Sequence, residues 1–124
     1  MRSIGRGGRG ARPSQWFSAA RRLQQAGASI VVGSDAGIGP MKPHDAVRHS
    51  LRQLTEIGLS PADALVTITS KAAAVCGLGH RKGRLAPGFD ADALAVDGNP
   101  LADPNALHRI RAVIVRGIPV LPTA

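Results

Sequence analysis

Tyrosine is absent from this chain, and the aromatic set is only Trp16, Phe17 and Phe89. A core without aromatic bulk has to be assembled from Ala, Val, Leu and Ile, because aromatics bury the largest area per residue. The same scarcity removes the stacking platforms on which single-stranded nucleic acids are held. Cys76 is the only cysteine, which excludes an intramolecular disulfide and a cysteine metal cluster. It follows Ala72-Ala73-Ala74-Val75 on a predicted helix, where a small buried thiol is expected. No apolar run approaches the length of a membrane span. The basic N-terminus lacks the apolar stretch of a secretory signal. The cytoplasm is therefore the expected compartment.

Acidic residues are missing from the whole first quarter of the chain. Asp35 is the first, whereas Arg2, Arg6, Arg9, Arg12, Arg21 and Arg22 precede it. The net charge of +8 thus belongs to an N-terminal piece, and the body from Asp35 onward is nearly balanced. An Arg/Gly arm can bind phosphates by counterion release. A nucleic-acid-binding module using these arginines is accordingly an alternative reading, although such a leader is more often a disordered tail.

What is present is a sequence of helix and strand signals over 124 residues, enough for one modest domain. Residues 1–13 form the Arg/Gly leader. Ser14 to Gly27 predicts a helix, with Phe17, Ala20 and Leu23 on one face and Gly27 as its stop. Ala28 to Val32 is a short apolar run without alternation, which predicts a strand buried on both faces as in a parallel sheet. A second helix is expected from His44 to about Ile57, with Val47, Leu51 and Leu54 on a stripe. Ser60-Pro61-Ala62-Asp63 predicts a helix start, since Ser60 can cap, Pro61 fits the first position and Asp63 suits the dipole. That helix is expected to run to Cys76. Beyond Gly83 the pattern becomes strands and turns: Ala91–Val96, Ile110–Val115 and Ile118–Leu121. The fold class is α/β with a small β unit at the end.

Asp35 is the residue with chemical interest. It ends the apolar run Ile30-Val31-Val32-Gly33-Ser34, the place where parallel barrels put catalytic groups. A carboxylate leaving a buried strand needs a cation or hydrogen-bond donors to meet it. A divalent metal with bound water would satisfy it and give it a proton to move. The alternative is a purely local role, with Asp35 capping the turn at Ala36-Gly37.

The segments Ile30-Val31-Val32-Gly33-Ser34-Asp35-Ala36-Gly37 and Gly83-Arg84-Leu85-Ala86-Pro87-Gly88-Phe89-Asp90-Ala91-Asp92, in this order, resemble the closing part of the metal-dependent amidohydrolases. The similarity is greatest to the imidazolonepropionase-like branch. It spans roughly residues 26–117 and includes Leu59-Ser60-Pro61-Ala62-Asp63-Ala64-Leu65, Thr69-Ser70-Lys71-Ala72-Ala73 and Val113-Ile114-Val115-Arg116-Gly117.

The resemblance implies the C-terminal part of a TIM-barrel enzyme, its last strand and helices over 14–82, followed over 83–124 by part of a flanking small β-sandwich. It implies that Asp35 is a metal ligand and catalytic proton shuttle, and that His44 contacts a small-molecule substrate. The reaction implied is hydrolysis of C–N bonds in cyclic amides or related compounds, with a divalent metal, zinc by expectation.

The family also needs a His-x-His pair and further ligands on earlier strands. The four histidines here, His44, His49, His80 and His108, all follow Asp35 and form no such pair. One carboxylate falls short of the three protein ligands of a catalytic zinc. The isolated chain is therefore expected to lack activity and to hold no metal by itself. A mis-started reading frame, a gene remnant, or a subunit completing another chain's barrel would each account for this. Self-association through strand 28–34 is a further expectation, and His49, His80 and His108 are expected on the surface.

Overall fold

A computed structural model describes residues 13–37 and 44–120 of the chain. Residues 1–12 of the Arg/Gly leader, residues 38–43 and the last four residues lie outside the described residues, and so does Leu121 of the expected last strand. Four helices come first: α1 (Pro13–Gln25), α2 (Val47–Glu56), α3 (Pro61–Ile68) and α4 (Ser70–Val75). Then β1 (Ala93–Val96), a 3₁₀ helix (Pro104–His108), β2 (Ile110–Val115) and β3 (Ile118–Val120) complete the order.

Helix α1 begins at Pro13, one residue before the expected start. Its end is closed by two backbone bonds, Ala28 N–H to Leu23 O and Gly27 N–H to Gln24 O, both 3.0 Å. This is the Schellman pattern, with Gly27 in the left-handed region it favours. Helix α3 starts as the sequence predicts. Ser60 Oγ accepts the Asp63 amide at 3.1 Å and donates to Asp63 Oδ2 at 2.6 Å, with Pro61 in the first turn.

The single helix expected over 61–76 is instead two. Thr69 leaves the helical region at φ −123°, ψ −95°, separating α3 from α4. Its hydroxyl donates to Leu65 O at 2.6 Å, the back-bonding by which threonine bends helices. Cys76 differs from expectation as well. It caps the end of α4, which buries no residue, and its thiol is exposed.

The core is small and apolar. Leu51 and Ala64 are fully buried, with Leu54, Ile57 and Leu107 close behind. Phe17, Ala20, Ile30, Val32, Leu65, Ile68 and Val96 pack around this cluster. Helix α2 supplies Leu51 and Leu54 from the stripe its sequence predicts, α3 supplies Ala64, and the 3₁₀ helix inserts Leu107. Thr67 is fully buried without strain on its hydroxyl, which donates to Ala64 O at 2.7 Å.

Residues 28–34 are the main correction. No strand is formed there, because no described residue runs alongside to complete a ladder. Burial alternates instead: Ile30, Val32 and Ser34 are half-buried while Val31 and Gly33 are exposed. One face leans on the helical core and the other is uncovered, so burial on both faces is not realised. The sheet that does form is antiparallel, in the order β1-β2-β3, with Leu94 opposite Val113 and Val113 opposite Val120. Arg116 and Gly117, at φ 51° and 78°, make the two-residue turn between β2 and β3. Such paired positive angles match the twist of a tight hairpin.

The sheet is fastened to the helices at two places. Gly83 passes so close to the α3–α4 junction that a Cβ there would lie 2.7 Å from Ser70 Cα. Nearby, Arg81 grips Asp90 at 2.9 Å, and Lys82 reaches Asp90 at 2.9 Å and also pairs with Asp92. Asp92 Oδ1 accepts the Arg116 amide at 2.8 Å, tying the hairpin turn to the same knot. The Lys82 ammonium holds both carboxyls below the usual range, assisted by Arg81 at Asp90 and by the Arg116 amide at Asp92.

Two outcomes follow from this packing. Leu51→Ala should cost about 2–5 kcal/mol in urea unfolding, since the site is fully enclosed by helices that cannot all collapse inward. Light scattering at low micromolar concentration should give a mass above the monomer's for the wild type, through the uncovered edge at 28–34. Val31→Lys should lower that mass, and an unchanged mass would place the contact elsewhere.

Candidate functional site

Asp35 stands where residues 28–34 end. Its backbone is left-handed, φ 48°, and Gly37 follows at φ 89°. Ser34 Oγ accepts the Ala36 amide at 3.3 Å, so a serine hydroxyl takes part in closing this turn. The carboxylate is thereby carried on a tight corner at the end of the apolar run, exposed rather than within a parallel sheet.

The second candidate, His44, approaches the same segment at Gly37. A methyl group at Gly37, two residues beyond Asp35, would meet His44 Cε1 at 4.0 Å, which puts the imidazole near Gly37. His44 is exposed and lies in the turn that leads into α2. It also lines a cavity of about 550 Å³ between α2, α3 and the sheet. The cavity wall is mostly apolar, from Val47, Leu65 and Leu107, with His44, Asp45 and Arg48 at one side.

Two polar residues here escaped the sequence reading. Arg48 pairs with Asp45 three positions earlier, and that guanidinium holds the Asp45 carboxyl below the ordinary range. Arg48 Nε is buried and makes no hydrogen bond among the described residues. The i, i+3 spacing of Asp45 and Arg48 on a helix start was the available signal.

The remaining histidines are exposed, as the sequence suggests, yet two are not isolated. His49 and His108 face each other with ring centroids 4.6 Å apart. His80 lies in the turn after α4.

All eight acidic residues, all four histidines and the cysteine fall within the described residues. No three of them come together in a way that could hold a metal ion. Asp35 is therefore not part of a three-ligand set such as a catalytic zinc needs. The residues present do not fit a complete metal centre. Among the described residues, no helix is long and apolar enough to cross a membrane.

Comparison with known proteins agrees with the sequence reading. The profile of the amidohydrolase family matches residues 3–121. The imidazolonepropionase of Rubrobacter xylanophilus is 39% identical over 83 residues, which are 63% of this chain and 19% of that protein. The imidazolonepropionase of Kosmotoga olearia is 28% identical over 100 residues, 80% of this chain and 25% of that one. Among solved structures, a Xaa-Pro dipeptidase with bound methionine in its active site superposes with a TM-score of 0.77 at 26% identity. That match covers 86% of this chain and 26% of the dipeptidase. The chain spans about a fifth to a quarter of the length of the curated relatives it matches.

The left-handed corner makes a separate demand on Asp35 that stability measurements can read. Asp, Asn and Gly tolerate positive φ, whereas a β-branched residue clashes with its own carbonyl. Asp35→Asn and Asp35→Gly should change unfolding free energy by less than about 0.5 kcal/mol. Asp35→Val should cost about 1–2 kcal/mol. A valine variant as stable as wild type would show that the corner is built differently.

Proposed function

The chain belongs to the amidohydrolase family, and on that basis we propose that it forms the closing section of a metal-dependent hydrolase of C–N bonds. The substrate class is a cyclic amide or related small molecule, as in the imidazolonepropionase-like branch. In this reading residues 14–82 end a TIM barrel and residues 83–124 contribute to the β-sandwich beside it. The change from a helical layer to an antiparallel sheet beyond the Gly83 contact supports that division.

The observation that carries the proposal is the Asp35 corner, with a carboxylate at the end of the apolar segment and His44 close to Gly37 two residues on. A carboxylate there can take a proton from an attacking water and return it to the leaving nitrogen, turning a poor amine leaving group into a neutral one. His44, at the rim of the apolar cavity, is placed to donate to a substrate oxygen. The cavity's apolar wall would accept the non-reacting part of the molecule. A divalent ion would need ligands from outside this set of residues, so the chain by itself is proposed to be catalytically silent.

The test is a graft. Residues 26–117 replace the corresponding segment of the Rubrobacter xylanophilus imidazolonepropionase, and turnover is measured on that enzyme's substrate. The chimera should be active, and Asp35→Asn within it should reduce kcat by about 10²–10⁴-fold, the usual weight of a general base. The isolated chain, assayed with the same substrate and with a Xaa-Pro dipeptide, should show no turnover. A chimera indifferent to Asp35→Asn would remove Asp35 from the chemistry.

A further inference from the structure

His49 lies on α2 and His108 ends the 3₁₀ helix, and their rings meet at 4.6 Å between centroids with a 55° tilt. Their chain neighbours explain why this contact matters. His49 is followed by the buried residues Ser50 and Leu51, and His108 is preceded by Leu107, which is only 8% exposed. The two imidazoles therefore sit over the seam where Leu51 and Leu107 share the core.

The charged groups around the pair are few. Asp45 and Arg48 approach from the α2 side, and Arg109 follows His108. Asp45 is already engaged by Arg48, and Arg109 is bound to Asp103 at 2.8 Å and to the Asp97 carbonyl at 3.1 Å. Strand β1, packed on the 3₁₀ helix, carries no titratable side chain. The titratable group of α3 is Asp63, which is taken up by the Ser60 cap at the other end of that helix. No uncommitted carboxylate is thus left among these groups to neutralise two imidazolium ions.

We propose that the His49–His108 pair is a proton-sensitive latch between α2 and the 3₁₀ helix, closed while the rings are neutral and released when both are protonated. Like charges at this separation repel, and the contact they oppose is the one that seats Leu107. Release would loosen the cavity wall that Val47 and Leu107 share, beside His44 and Asp45.

The direction of the effect is fixed by linkage. Burial, then the charges of His49 and Arg48, lower the His108 pKa in the folded chain. The unfolded chain therefore binds the proton first. The stabilising contact is intact above the ordinary imidazole value of about 6.5 and is lost as pH falls through the lower folded value.

Thermal melts of the full chain at about pH 7.5 and about pH 5.5 straddle the ordinary imidazole value of about 6.5 while leaving most carboxylates ionised. Wild type should lose roughly 4 °C or more on acidification and gain binding of the dye ANS. His49→Asn and His108→Asn should each lose less than half as much, whereas His80→Asn, outside the contact, should behave as wild type. Imidazole titration of the wild-type chain by NMR supplies a readout independent of any variant, with the His108 resonance moving below the ordinary imidazole value of about 6.5. Pair variants that keep the full acid loss would overturn the latch. So would a His108 resonance that moves at the ordinary imidazole value.

Discussion

Leu51 is enclosed where α2, α3 and the 3₁₀ helix meet, and every other element is placed by reference to that meeting. Burying one leucine completely contributes on the order of 1.5–3 kcal/mol, and its neighbours Leu54, Ile57, Ala64 and Leu107 extend the same surface. Since the buried cluster has no aromatic residue, its close packing rests on short aliphatic side chains with little room to adjust. Helix α1 and residues 28–34 join it only partly, through Phe17, Ala20, Ile30 and Val32. The helical layer is thus organised from α2 outward, and the segment that ends at Asp35 lies at its margin.

The sheet is held to this layer by different means. Its junction depends on the absence of a side chain at Gly83 and on a knot of opposite charges, Arg81 and Lys82 with Asp90 and Asp92. Exposed ion pairs are individually weak, with a typical contribution of about 0–1 kcal/mol. Here they act together with backbone bonds, from Arg116 to Asp92 and from Gly117 to the Ala91 carbonyl at 2.9 Å. Their effect is to fix orientation. The hairpin turn, the start of β1 and the exit from α4 converge on Asp90–Asp92, which sets how the sheet closes one side of the cavity.

That arrangement explains why the candidate site is assembled yet incomplete. The corner at Asp35 is shaped by local forces, a serine hydroxyl and two positive backbone angles. The approach of His44 is likewise local, a matter of how α2 begins. A metal centre needs ligands converging from several elements, and the acidic residues of this chain are committed elsewhere: to a helix cap at Asp63, to the charge knot at Asp90 and Asp92, and to arginines at Asp45, Asp97 and Asp103. The family match places the chain among amidohydrolases while covering a fifth to a quarter of the curated relatives. No group of three potential ligands converges among the described residues.

The sequence by itself determined whatever depends on near neighbours. The Ser60-Pro61-Asp63 start, the α2 stripe, the Gly27 stop and the strand at 110–115 were legible, and the strand expected over 91–96 forms over 93–96, because caps, periodicity and turn chemistry act within a few residues. The family resemblance was legible for the same reason, being carried by short runs in a fixed order. Only the tertiary structure decided the rest. Residues 28–34 have the composition of a strand covered on both faces, but a ladder needs a partner, and none lies beside them among the described residues. The break at Thr69 depends on one hydroxyl finding the Leu65 carbonyl in competition with the helix. The exposure of Cys76 depends on no described residue burying the end of α4. The meeting of His49 with His108 joins residues far apart in the chain, and it exists because Leu107 seeks the same burial as Leu51. No periodicity encodes that encounter; the core does.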